Sequence, residues 1–263
     1  ELDKISSKRK SSGSMDVLVN GSAYFARLID RVSSARQSVH LQTYIFDNDD
    51  YALKIGDLLK RRSNEGIEVK VLLDGLGTIS GTMSDSPTVP DEHLPPASVR
   101  RYLESDSQVN VRQKSNPWFT GDHVKATLID RETAFVGGMN IGREYRYDWH
   151  DLMVEIRGPV VDEINDEFNQ AWRKASWLGD FGALLGPRDS KVNRGKPGHS
   201  VRLIHTRPGK QEIFELQREA IRRAKGYIFI ENAYFTDDVL LKELILARRR
   251  GVDVRVIIPI ETD

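Results

Sequence analysis

The 263 residues carry 39 basic and 39 acidic side chains, so no net field marks the chain for a polyanionic partner, and any such role would have to rest on a local patch. Cysteine is absent, which excludes disulfides, thiolate metal sites and cysteine nucleophiles. No run of about 18 apolar residues occurs, so the sequence as it stands holds no membrane-spanning helix.

The chain opens on Glu1 with "ELDKISSKRKSSGS", a polar stretch that reads as a trimmed start, and residues 1–15 are expected to be disordered or tag-like. "MDVLVNG" reads as a strand and turn, and residues 22–35 as a helix with Phe25, Leu28, Ile29 and Val32 on its apolar face. "SVHLQTYIF" (38–46) reads as a buried strand, residues 51–66 as a helix stopped by Gly66, and "IEVKVLLDG" (67–75) as another buried strand. That order is a βαβ unit, which implies parallel pairing through a right-handed crossover.

Residues 75–96 carry the Gly, Ser, Thr and Pro of a long functional loop. A short helix ("ASVRRYLES"), a strand ("QVNVRQ"), a hairpin over 121–140 and a strand over 150–158 follow. Pro159 suits the first turn of a helix running to about residue 177, with Val160, Val161, Ile164, Phe168 and Trp172 at helical spacing. Residues 179–199 read as a linker.

Beyond the linker the pattern restarts. Residues 221–259 parallel residues 29–74 element for element, with a helix, an apolar strand, an acidic turn, a helix ending in Gly and a second apolar strand. Two generic βαβ units can look alike, but the matched aromatic and Gly-[Ile/Val]-x-Val positions favour duplication. The expected division is therefore a first domain over 16–178, a linker over 179–199 and the start of a second domain over 200–263. His123 follows Gly66 by 57 residues, whereas 12 residues follow Gly251, so the second copy is expected to stop before a counterpart of the hairpin.

The hairpin "GDHVKATLIDRETAFVGGMN" holds more polar residues than folding requires. In a strand His123 and Lys125 share a face, and Val124 and Ala126 share the other. An imidazole beside an ammonium does little for stability but suits a phosphate, because the lysine holds an anionic oxygen while neutral histidine attacks phosphorus or moves a proton. Gly137 and Gly138 allow close backbone approach, and Asn140 offers further donors. A lone His-x-Lys is usually a solvated strand face, a Gly-Gly pair is usually only a turn, and Asp130 is most economically the hairpin's turn residue. H-x-K-x4-D-x6-G-G-x-N as a whole is far more specific.

This pattern resembles the HKD motif of the phospholipase D superfamily, and the flanks "GGMNIGREY", "WHDLMVEIRGPVV", "EFNQAW" and "ENAYFTDD" are most similar to bacterial cardiolipin synthases and their phospholipase D-like relatives. The resemblance runs from about residue 16 to the end. It implies an α/β phospholipase D-like sandwich with a mixed central sheet flanked by helices, duplicated, the second copy incomplete. It further implies that two motifs meet, one histidine forming a phosphohistidine and the other protonating the leaving alcohol. Carried onto this sequence, His123 would be the nucleophile, Lys125 and Asn140 would hold phosphate oxygens beside Gly138, and Asp151 would orient the imidazole. Asp130 and Gly137 would be structural.

Read without the resemblance, Asp151 is equally well a solvated or paired strand-end aspartate, and His150 a structural or exposed residue. Val124 departs from the arginine that cardiolipin synthases often place there, and the second motif is missing from this sequence. No cofactor or metal is expected, since cationic side chains can neutralise the phosphodiester and no Asp, Glu or His cluster has convincing metal spacing.

The expected partner is a phospholipid at a membrane surface, with the chain membrane-associated or cytoplasmic. Trp118 and Phe119 would touch the interface or plug the core. Two other readings stand beside this one. A nuclease of the same superfamily would use Arg100, Arg101, Arg112 and Lys114 as a local patch, and a non-catalytic phosphate- or lipid-binding remnant would bind without turnover.

Overall fold

A computed structural model describes residues 5–6, 8, 10–75, 77, 88–114, 122–176, 198–207 and 209–260. Trp118, Phe119, much of the 75–96 loop and the linker as far as residue 197 lie outside these. The chain divides into two compact units, Ser11–Val201 and Arg202–Asp263 with Glu1–Lys10.

In the first unit the strands are β1 (Ser11–Val19), β2 (Ser38–Thr43), β3 (Glu68–Asp74), β4 (Asn110–Lys114), β5 (Ala126–Ile129), β6 (Thr133–Gly137), β7 (Leu152–Arg157) and β8 (His199–Val201). They form one mixed sheet in the order β4-β3-β2-β5-β6-β7-β1-β8. β2, β3 and β4 are parallel neighbours, while β2–β5 and every pairing beyond it are antiparallel. β2, fully buried along its length, sits where the parallel half meets the antiparallel half. A strand covered on both faces has to bury both sets of side chains, and here polar Ser38, His40, Gln42 and Thr43 are buried along with Val39 and Leu41.

The helices are α1 (Asn20–Ser33), α2 (Asp50–Asn64), α3 (Val99–Glu104), α4 (Arg143–Tyr147) and α5 (Val160–Lys174). Alternation along β2 sends Val39 and Leu41 into the layer of α1 and α2, where Tyr24, Phe25, Leu28, Ile55 and Leu59 close the core. His40 points the other way and stacks on Phe168 of α5 at 5.0 Å between ring centroids. Trp172, one turn further along α5, receives the Arg112 guanidinium 4.4 Å from its ring centroid. Glu155 of β7 has a fully buried side chain that Arg27, Arg31 and Arg157 grip together. Burial alone would raise its pKa, but hydrogen bonds from Arg157 and Arg31 overcome that and hold it below the usual carboxylate range.

The second unit holds β9 (Thr206–Arg207), β10 (Lys210–Gln211), α6 (Glu212–Arg223), β11 (Tyr227–Glu231), α7 (Asp238–Arg249) and β12 (Asp253–Ile257). β11 and β12 pair in parallel across α7, and Ile221, Leu244, Ala247 and Val252 form a small core. β11–α7–β12 has the same parallel strand–helix–strand order as β2–α2–β3. Asp49 caps α2 by accepting from Ala52 N–H, and Asp237 caps α7 by accepting from Leu240 N–H. Gly66 and Gly251 follow the two helices at φ +93° and +91°, a left-handed turn that favours glycine.

Several boundaries differ from those expected. Residues 11–15, assigned to the irregular start, are strand, because Ser14 and Met15 pair with Arg157 and Ile156. β2 ends at Thr43 rather than Phe46, whose one ladder contact is an isolated bridge to Ile141. Residues 199–201, expected to close the linker and open the second domain, pair with the start of β1 and extend the first sheet.

Candidate active site

Residues 122–125 are not strand, and β5 begins only at Ala126. The reason is its partner: Gln42 opposite Ala126 is the last matched pair of the β2–β5 ladder, after which β2 turns away. His123 and Lys125 therefore stand on a short lead-in beyond the sheet. Both side chains nevertheless reach the Tyr44 ring. The His123 ring lies 4.7 Å from the Tyr44 ring, and the Lys125 ammonium lies 5.1 Å from the same ring's centroid. The ammonium also approaches the His123 carbonyl oxygen at 3.4 Å.

Lys125 is almost fully buried. Burial drives its pKa down to about 8, against the opposing pull of Asp151 and Asp74. The His123 pKa falls below its ordinary value, first because burial disfavours the imidazolium and then because Lys125 repels it, with Asp74 opposing. A neutral imidazole thus sits beside a buried ammonium, and Val124 between them is 42% exposed.

Gly138 lies against Asp151. A Cβ on Gly138 would fall on the Asp151 carboxylate oxygens, so the absent side chain is what lets that carboxylate come in beside the motif. Gly137 ends β6 opposite Met153, where a Cβ would strike the Leu152 carbonyl oxygen. Asp151 accepts from Leu152 N–H at 2.6 Å and exerts its charge on Lys125. Among the described residues it makes no hydrogen bond to His123.

Asn140 is buried and tied into the fold. Its amide oxygen accepts from Ile45 N–H at 3.0 Å and from the Thr43 hydroxyl at 3.3 Å, and its amide nitrogen donates to the Tyr145 hydroxyl at 2.8 Å. Asp130 sits outside this cluster at the far end of β5. It and Arg131 adopt φ of +52° and +57° in the three-residue connection between β5 and β6, and its carboxylate accepts from the backbone amides of Arg36, Gln37 and Ser38. His150 pairs through Nδ1 with the Asn20 side-chain oxygen at 2.6 Å.

Sequence reasoning missed four members of the neighbourhood, Gln42, Tyr44, Asp74 and Asp122, and read Lys114 only as part of a basic patch. Asp122 is paired with Lys114 and accepts from Gln42 Nε2 at 3.1 Å. Asp74, buried at the end of β3, accepts from Asp122 N–H at 2.8 Å. One available signal was that open α/β sheets gather ligand groups at the carboxyl ends of parallel strands, which is where "LLDG" places Asp74. Among the described residues no three His, Asp or Glu side chains converge as a metal site would require, and no helix is long and apolar enough to cross a membrane.

Residues 28–172 match the family described as cardiolipin synthase, PLD-like domain. The major cardiolipin synthase ClsA of Bacillus subtilis is 28% identical over 95% of this chain and 52% of its own length. Cardiolipin synthase 2 of Bacillus anthracis is 30% identical over 94% of this chain and 48% of its own length. The chain thus spans about half the length of these relatives. Phosphatidylserine synthase of Haemophilus influenzae superposes with a TM-score of 0.70 at 13% identity, over 97% of this chain and 64% of that one, which is a likeness of fold. The chain belongs to the phospholipase D-like family of cardiolipin synthase domains.

Proposed function

We propose that this chain carries the phosphate-binding and nucleophilic half of a phospholipase D-type phosphatidyltransferase of the cardiolipin synthase kind. The observation that supports it most is that His123 and the buried Lys125 both lie against the Tyr44 ring, where burial favours the neutral imidazole. In this reading Lys125 draws a phosphodiester oxygen to the site, and a His123 ring nitrogen attacks phosphorus. A P–N bond forms, the P–O bond to the leaving alcohol breaks, and that oxygen takes a proton. An acceptor hydroxyl then loses its proton and attacks phosphorus, the P–N bond breaks, and histidine is free again. An alcohol acceptor gives transfer; water gives hydrolysis.

Asp151 supports the Lys125 charge, Gly138 keeps the approach open, and Asn140 braces the end of β2 while offering its second N–H to a phosphate oxygen. By family resemblance the proton for the leaving alcohol comes from a second His-x-Lys motif, and His123–Lys125 is the single one in this sequence. The two alike βαβ units fit a duplication that would supply it. A phospholipid is favoured over a nucleic acid by the balanced charge and by the exposed Val124, Trp149, Leu152 and Val19 that flank the motif, the last two paired across β1 and β7. A peripheral position on a bacterial cytoplasmic membrane follows from that substrate.

The test is incubation of the full-length protein with phosphatidylglycerol vesicles and mass spectrometry of the products. Cardiolipin plus glycerol is expected, and its loss in His123→Ala. Phosphatidic acid alone would change the reading to hydrolysis, and no His123-dependent turnover of any phospholipid would refute it.

A further inference from the structure

We propose that Asp74 is a positioning residue of this site: its buried carboxylate holds the lead-in that presents His123 and Lys125, and faces both of them with its charge. The inference rests on the functional reading above and adds a carboxylate that the motif does not contain.

The argument begins with a gap in the sheet. Residues 122–125 have no ladder partner, so something other than strand pairing must fix the His123 backbone. Asp74 supplies the hold. It is the last residue of β3, and one carboxylate oxygen accepts from Asp122 N–H at 2.8 Å, on the residue directly before the histidine, while the other accepts from Gly77 N–H at 3.0 Å. The Asp122 side chain completes the clamp by gripping Lys114 at the end of β4 and Gln42 at the end of β2. Three neighbouring strand ends thereby converge on one short segment.

Charge is the second part. A carboxylate 2% exposed costs free energy unless cations and N–H donors face it, and cations of the site are among the groups that respond to it. Lys114 from β4 and His123 and Lys125 from the lead-in all feel the negative charge of Asp74. Asp122 lies beside it through the backbone hydrogen bond, and the Asp151 charge also acts on Lys125. Asp74 thus favours the protonated forms of His123 and Lys125, against the burial that disfavours them. Two carboxylates from separate parts of the chain, the end of β3 and the approach to β7, both act on one ammonium.

Asp74→Asn in the full-length protein removes the charge and keeps the size and one acceptor. NMR titration of the His123 ring and the Lys125 side chain reads the result without needing turnover, so it stands even if the phosphatidyltransfer reading fails. Both midpoints are expected to fall by at least about 0.5 unit, and both limbs of the activity profile to move the same way. A folded Asp74→Asn protein with both midpoints unmoved would overturn the proposal.

Asp74→Glu keeps the charge on a longer arm and serves where Asp74→Asn does not fold. There the two midpoints should hold, while the Asp122 amide exchanges faster with solvent and kcat falls about tenfold through misplacement of the imidazole. Unchanged Asp122 exchange together with unchanged kcat would count equally against it.

Discussion

Tyr44 explains how His123 and Lys125 act together although neither lies in a strand. Its ring lies beside both the imidazole and the ammonium, the latter in a cation–π contact that accepts positive charge without supplying a competing anion. The consequence is a defined pH window. On the proposed mechanism His123 attacks in its neutral form, and because its pKa is depressed, that form persists below pH 6.5 before protonation removes it. On the same proposal Lys125 holds phosphate only while charged, and its charge is lost as pH rises through about 8. The dependence of kcat/KM on pH should therefore be bell-shaped, with an acid limb below 6.5 and an alkaline limb near 8. An alkaline limb above 10, where an ordinary lysine titrates, would show that Lys125 is not the cation required. The His-x-Lys pairing was legible from spacing. Tyr44, Asp74 and Asp122 were not, because they lie 49 to 81 residues away or have no motif of their own.

Among the elements, the β5–β6 hairpin is tied down at one end and open at the other. Asp130 makes the turn and also gathers three backbone amides from the α1–β2 connection, so it locks β5 beside β2 at the end away from the site. A carboxylate that accepts several amide hydrogen bonds acts like a helix cap between two elements. Asp130→Ala should lower the unfolding free energy by about 2–3 kcal/mol, measured by urea denaturation, while KM for any phosphodiester stays near its original value. A loss of activity without loss of stability would instead give this residue a place in the chemistry.

Element identity was readable because the apolar periods are strong: α1, α2 and α5 read as helices and β2, β3 and β7 as strands. Their ends were less so. β2 stops at Thr43 although "YIF" continues the apolar run, because Asn140 takes the Ile45 amide and turns the chain out of the ladder.

At the scale of the whole molecule the two units differ in how fully they enclose their strands. In the first, β2 has a neighbour on each side and helices over both faces. In the second, β11 and β12 pair only with each other among the described residues, and Tyr227, Phe229 and Ile257 remain more than half exposed. Local opening scales with how little surface and hydrogen bonding each strand shares. Hydrogen exchange should therefore show the amides of β2 and β3 protected to near the global unfolding limit, and those of β11 and β12 exchanging at least about a hundredfold faster. Equal protection in the two pairs would mean that β11 and β12 are covered in solution.

The sequence by itself determined the α/β class, the parallel βαβ units, the phospholipase D-like motif and the pairing of His123 with Lys125, because these depend on periodicity and spacing along a single stretch of chain. Only the tertiary structure decided that the motif's histidine stands outside the sheet, that Asp74, Asp122 and Lys114 gather behind it, that Asp151 meets Gly138, and that Asn140 is anchored to Ile45 and Tyr145. Those contacts join strands that are distant in sequence but adjacent in the sheet, and strand order and ladder length are set by packing rather than by any local pattern.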